Sequence, residues 1–263
     1  MRRRFRLPPY VPLFAFACLI FLVSLPLRRL PNKPLPAPTP TSVPPLVNAL
    51  VVLDPGHGGV DSGAIRGGMR EDALTYRLTA EISSELRQRG AEVWTTVDSN
   101  ALSVTGNTPF VVPKDACLAF NNTPLGHRRE SGAQELWQRA ALVRKAIKVP
   151  GKKVFFLSLH ADSLASRKWW GARVYRDTRD KGECRFAKHL LARLSRAGMT
   201  YKPNGKIVPR DYGVLNPAYN PAPQKALMEA FTISSPKDRE RARSPIWRQK
   251  IVVSVADSVQ ASL

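Results

Sequence analysis

Cysteine, histidine and acidic side chains are all scarce in this 263-residue chain, and each shortage removes a class of chemistry. Of the three cysteines, only Cys117 and Cys184 lie in the body of the chain, where they could pair in an oxidising compartment. None of Cys18, Cys117 and Cys184 adjoins a histidine, and no G-x-S-x-G segment occurs, so sequence signatures of nucleophilic acyl transfer are missing. Internal repeats are absent. Acidic residues number 20 against 41 lysines and arginines, a net charge of +21. Removing the basic residues before Pro34 still leaves +14 on the remainder. Such a field attracts polyanions of any kind, including lipid head groups and nucleic acid. No nucleic-acid-binding motif is present, so nucleic acid is not expected as a partner.

One long apolar run is present. MRRRFR forms a basic flank, and residues Val11 to Leu27 carry no charge, just enough length to cross a bilayer. Small residues suited to cleavage are few, and Arg28 and Arg29 follow directly. Residues 1–29 are therefore expected to be an uncleaved signal anchor in preference to a removed signal peptide, with the basic end cytoplasmic and the remainder outside. If the segment is cleaved instead, the product is secreted. Arg2-Arg3-Arg4-Phe5 resembles a twin-arginine signal only faintly, and the bulky residues around Cys18 argue against lipoprotein processing. Residues 30–46 are proline-rich and read as an extended spacer, leaving 47–263 as one domain.

Within that domain the pattern alternates. Strands are expected from Ala49 to Asp54, Ala91 to Thr96, Lys153 to His160 and Gly171 to Arg176, with short strands near Val214 and Leu227. Helices are expected from Glu71 to Arg89, Gln134 to Lys148, around Phe186 to Ala197, and over the C-terminal stripe of Ile251, Val255 and Val259. The order is that of an α/β fold with a single twisted, mostly parallel or mixed sheet flanked by helices. Residues 98–133 are too long for an ordinary connection. They are expected to loop over the strand ends, either shaping a substrate groove or forming a tolerated surface insertion.

Four polar residues stand where such a fold places its sites, beyond the strand ends or at helix starts. His57 follows the apolar run ALVVLDP inside the turn GHGG, Glu71 opens a helix, His160 ends VFFLSLH, and Glu229 ends KALMEAF. For His57 alone, a glycine turn that merely closes a strand is the plain alternative. Two imidazoles and one carboxylate around a tetrahedral ion, with a further carboxylate free to move protons, form a recurrent amide-hydrolysing site. Asp54 and Asp162 flank the histidines and could orient an imidazole, although turn and strand capping explains them equally well. His127 and His189 read as solvated or structural.

The segments DPGHGGVDSGAIRGGMRE, SLHADS, GARVYRD, YGVLN and ALMEAFTISSPKD, in this order, resemble the zinc-dependent N-acetylmuramoyl-L-alanine amidases of the amidase-3 family. The resemblance runs from about Val47 to the C-terminus. It implies a phosphorylase/hydrolase-like amidase fold, one zinc ion held by His57, Glu71 and His160, and Glu229 as the catalytic carboxylate. It also implies that the substrate is peptidoglycan, cut between N-acetylmuramic acid and L-alanine for wall turnover or daughter-cell separation. The location would be extracytoplasmic, tethered to the inner membrane, and an activator protein is a conceivable partner. A zinc peptidase cutting within the stem peptide, or a silent wall-binding domain, are the alternatives. Asp162 and Ser235 stand where the family usually has asparagine, and TTVDSN replaces a segment that usually supplies an arginine near the site.

Overall fold

The apolar runs VVLDP and VFFLSLH become strands and the spacing-four run after Glu71 becomes a helix stripe, and alternation along the strands decides which layer each side chain joins. The computed structural model describes residues 45–98, 114, 116–119, 125, 132–165, 168–180, 184–201 and 205–263. The anchor and the spacer up to residue 44 lie outside these residues, as does His127. In chain order the elements are β1 (Ala49–Pro55), β2 (Ile65–Arg66), β3 (Met69–Arg70), α1 (Glu71–Gln88), β4 (Glu92–Thr95), α2 (Gly132–Ala146) and β5 (Lys153–Asp162). There follow β6 (Arg173–Arg176), α3 (Arg185–Arg196), β7 (Val208–Pro209), β8 (Gln224–Thr232), α4 (Pro236–Arg243) and α5 (Pro245–Gln260).

The main sheet has the order β4-β1-β5-β8-β6-β7. β4, β1, β5 and β8 are mutually parallel, β6 runs antiparallel to β8, and β7 is parallel to β6. β1 is buried along its whole length, as a central strand covered on both faces must be. Its residues divide by period two: Val51 and Leu53 join the cluster formed with α1, α3 and α5, whereas Leu50 and Val52 join the one formed with α2. In α1, Leu74, Leu78, Ile82 and Leu86 supply a buried stripe at spacing four. The result is a three-layer sandwich.

Several expected elements shift. No strand forms near Val214, which lies in a 3-10 turn, Gly213–Leu215, fastened by the Asn220 side-chain amide donating to the Val214 carbonyl. Leu227 sits in the middle of the nine-residue β8, buried throughout and paired on both sides. Helix α4 carries no apolar stripe in PKDRERAR, which is why periodicity does not reveal it. Instead Pro236 opens it, and Asp238 buries its carboxylate on the backbone N–H groups of Gly171 and Thr232. No disulfide joins Cys117 and Cys184. The Cys184 sulfur is buried at the start of α3, where it accepts from the Ala187 N–H.

Among the described residues of the long 98–133 stretch, Ala116, Leu118 and Leu125 pack with Tyr76 and Val97. Leu118 bridges to Val97, and the Leu125 carbonyl accepts from the Val60 N–H. This part of the insertion is thus fastened beside the turn that follows β1.

A buried ion pair locks the layers at the same place. Arg139 of α2 is 5% exposed and reaches Asp54 of β1, 2% exposed, at 2.7 Å. Asp54 also accepts from Thr96 Oγ1 at 2.6 Å and Ser158 Oγ at 2.8 Å, so one carboxylate ties three strand ends to a helix. Deleting one partner of such a pair strands the other charge in a dry interior. Arg139→Met should lower unfolding stability by about 3–5 kcal/mol, read from urea denaturation of the two proteins side by side.

Candidate metal centre

β1 and β5 pair in parallel with Asp54 opposite Ser158 and Pro55 opposite Leu159, so the segments at their carboxyl ends lie side by side. His160 is on β5, two residues before the strand closes. The chain leaving β1 turns at once, and His57 adopts φ +63°, a left-handed conformation uncommon for a residue with a side chain. Arg139 stabilises this turn by donating to the carbonyls of Pro55 at 2.9 Å and His57 at 3.1 Å. Glu71, the first residue of α1, comes in from the β2–β3 hairpin.

These three side chains converge. His57 Nε2 lies 3.2 Å and His160 Nδ1 3.0 Å from Glu71 Oε1, and the two rings meet edge to face with centroids 5.1 Å apart. The three donor atoms all lie within 4.8 Å of one another. Ligand atoms at zinc bonds of about 2.0–2.2 Å in a tetrahedron stand about 3.3–3.6 Å apart, so the two spacings to Glu71 are close to those of such a site. The donor chemistry, two imidazole nitrogens and a carboxylate oxygen, suits it equally. Among the described residues no other cluster of this kind occurs.

Glycines form the cradle. A Cβ on Gly56 would stand 2.3 Å from His160 Cε1, and one on Gly63 would stand 2.6 Å from His57 Cδ2 and 2.7 Å from Glu71 Oε2. Glu71 is further fixed by the N–H groups of Ala64 and Ala161, at 3.0 and 3.1 Å. Burial alone would raise its pKa, but the hydrogen bonds from His160 and His57 prevail and hold it far below the usual carboxylate range. Burial likewise opposes charge on His57. The hydrogen bonds and negative charges of Glu71 and Asp61 outweigh it and lift His57 to about 9.

The orienting residue for His57 is Asp61, whose Oδ2 accepts from Nδ1 at 2.8 Å while Oδ1 accepts from the Gly63 N–H at 3.0 Å. A metal-binding histidine is commonly held by a carboxylate in this way. Asp54, expected as a candidate for that task, faces Arg139, Thr96 and Ser158, and it is Arg139 that fastens the turn through its carbonyls. Asp162 also orients no imidazole. Its carboxylate pairs with Arg173 of β6 at 2.8 Å, and Arg173 donates a second bond to Thr232 Oγ1 at 3.1 Å. Arg139 and Arg173, neither singled out from sequence, are the two cations nearest this chemistry by bonding. His189 lies on α3, outside the cluster.

Glu229 is not at a strand end, as expected, but inside β8, because β8 continues to Thr232 between β5 and β6. It pairs in register with His160 on one side and Arg173 on the other. Only 8% exposed, it has a buried Oε2 with no hydrogen-bond partner among the described residues. Burial, then the negative charges of Asp162 and Glu71, push its pKa up to about 8.

A family profile described as N-acetylmuramoyl-L-alanine amidase matches residues 51–261. The chain belongs to this amidase family. It is 26% identical over 211 residues to a germination-specific N-acetylmuramoyl-L-alanine amidase of Bacillus subtilis, covering 80% of this chain and 78% of that protein. It is also 26% identical over 234 residues to the amidase AmiA of Escherichia coli, covering 80% and 74% respectively. Two solved structures share the fold. The CwlD amidase of Clostridioides difficile, in complex with the GerS lipoprotein, superposes with a TM-score of 0.59 at 18% identity, over 81% of this chain and 98% of that one. The amidase AmiC2 of Nostoc punctiforme gives 0.58 at 20%, over 82% and 98%. With a metal-suited donor set in place, this member is an amide hydrolase rather than a silent domain.

The cradle makes a sharp test. In Gly56→Ala the added methyl must displace the His160 ring, so the protein should fold yet lose most of its zinc. Metal content after dialysis against equal free zinc checks this, and full retention would show that His160 is not held by Gly56.

Proposed function

We propose that this amidase hydrolyses the amide between N-acetylmuramic acid and the L-alanine of the stem peptide, with His57, Glu71 and His160 holding one zinc ion and Glu229 handling protons. The observation that carries the reading is the meeting of two imidazoles and a carboxylate beside a buried carboxyl oxygen that has no partner among the described residues. When bound, the ion supplies Lewis acidity, polarising the amide carbonyl and acidifying water. Asp61 keeps the His57 proton on Nδ1, so that Nε2 presents its lone pair. Glu229 takes a proton from the attacking water and then delivers it to the departing alanine nitrogen. Its burial and the charge of Asp162 both favour holding that proton between the two steps. Arg173 limits the effect by partly neutralising Asp162.

An extracytoplasmic site of action follows from the substrate and agrees with the apolar N-terminal run. Residues 1–29 would hold the enzyme at the membrane, and the proline-rich spacer would let the domain reach the wall. No described helix is long and apolar enough to cross a membrane.

Two measurements test the chemistry. Zinc-loaded protein should release stem peptides with a free L-alanine amino terminus from peptidoglycan fragments, as read by mass spectrometry. Cuts within the stem peptide would refute the assignment of the bond. Glu229→Gln should lower kcat by about 10²–10⁴-fold while zinc content stays unchanged. Protons report on the ligands separately. Without an ion, the hydrogen bonds and negative charges of Glu71 and Asp61 outweigh burial and favour the protonated form of His57, whereas a ligand imidazole must be neutral. Zinc binding at pH 7 should therefore release a proton from His57, to which Glu229 can add a second, and weaken as pH falls. Calorimetry in buffers of different ionisation enthalpy measures the release, and zero release would remove His57 from the ligand set.

A further inference from the structure

β6 is antiparallel in a sheet otherwise parallel up to β8, so its amino end lies where β8 emerges at the catalytic edge. Arg173, opposite Glu229, starts this strand, and Trp169 and Trp170 precede it across Gly171 and Ala172. They wall a cleft of about 270 Å³ with Tyr201, and Arg173 and Lys206 also line it. Arg173 therefore belongs both to this cleft and to the carboxylate group around Glu229.

The aromatic walls are built, not incidental. Trp169 and Tyr201 remain 46% and 41% exposed, and their ring centroids are 4.8 Å apart. Trp170 meets Tyr201 edge to face at 5.6 Å and carries Lys237 Nζ at 3.8 Å and the Arg241 guanidinium at 4.4 Å. Those α4 cations brace the platform. The two loops that bear the rings are clamped together at Gly171, φ +89°, where a Cβ would stand 2.6 Å from the Met199 carbonyl oxygen and 2.8 Å from the Tyr201 nitrogen. The neighbouring Ala172 N–H bonds that same carbonyl at 2.6 Å.

We propose that this cleft is a subsite for a sugar ring of the glycan strand, flanking the muramic acid whose amide is cut; this rests on the amidase reading above. Half-exposed rings held rigid present flat π faces, and the C–H faces of a pyranose are apolar and slightly positive, which suits the negative face of an aromatic ring. One guanidinium nitrogen of Arg173 serves both Asp162 and Thr232, which holds that side chain against the wall of the cleft. Lys206, exposed at the rim, can donate to ring hydroxyls or an acetamido carbonyl.

The test titrates peptide-free strands of alternating N-acetylglucosamine and N-acetylmuramic acid into the full chain while tryptophan emission is followed. Wild type should show a saturable change, and Trp169→Ala/Tyr201→Ala should bind up to about tenfold more weakly. Trp169→Phe, which retains a ring, should recover most of the affinity. If the double variant melts early, the single Trp169→Leu at its half-exposed position takes its place. Unaltered affinity in the variants, no saturable change in wild type, or an equal response to free stem peptide would each overturn the proposal. Because the titration needs no turnover, its failure with an active enzyme sinks only the subsite, whereas absent peptide release with intact glycan binding sinks only the amidase reading.

Discussion

The buried pairing of Asp54 with Arg139 is the constraint on which the rest of the site depends. Asp54 ends the apolar run of β1, a position where an uncompensated carboxylate would be very costly. Arg139 from α2 compensates it, and Thr96 and Ser158 donate to it as well, so the pair is supported by hydrogen bonds as well as by charge. The same guanidinium then reaches past Asp54 to the carbonyls of Pro55 and His57. The interaction that joins the helical layer to the sheet thereby also fixes the left-handed turn that presents His57. Stability and chemistry share one set of atoms here.

Topology does the rest of the positioning. Parallel β1 and β5 release His57 and His160 at one edge, and β8 brings Glu229 into register with His160. β6, with the short β7 parallel to it, runs the other way, which is why Arg173 and the tryptophans before it arrive at the same edge from the opposite direction. Glu71 needs no strand. It begins α1, where the partial positive charge of a helix start favours a carboxylate, and the hairpin of β2 and β3 delivers it.

The parts of this arrangement that are legible in sequence are those that depend on local pattern. The runs VVLDP and VFFLSLH, the spacing-four stripe of α1 and the glycine pairs around His57 reveal the sheet order class and the neighbourhood of all four polar residues. Contacts between segments far apart in the chain are not legible. Arg139 sits 85 residues from Asp54, and nothing in QELWQRAALV distinguishes it from a solvated helix arginine. Arg173 looks equally ordinary in GARVYRD, since its role follows from the reversed direction of β6. Asp61 was within reach, because it lies four residues after His57 in a turn rich in glycine, yet turn chemistry explains an aspartate there without any imidazole. Val214 misleads for a related reason. Its burial comes from the packing of a short turn under α2, and burial without periodicity reads as a strand.

Charge distribution explains why a cation belongs in this site of an otherwise cationic protein. Asp54, Asp61, Glu71, Asp162 and Glu229 gather near one edge of the sheet, although acids are outnumbered two to one in the chain as a whole. Arg139 answers Asp54 and Arg173 answers Asp162. Asp61 and Glu71 face the two ring nitrogens of His57, Nδ1 and Nε2 respectively, and among the described residues no cation is bonded to Glu229. That leaves a region whose residual negative charge is answered, without an ion, only by protonating an imidazole and a carboxyl group. Both groups respond in that direction, His57 toward about 9 and Glu229 toward about 8. A divalent ion between His57, Glu71 and His160 would supply the missing positive charge and release those protons, turning a proton-filled pocket into one able to move protons during a reaction.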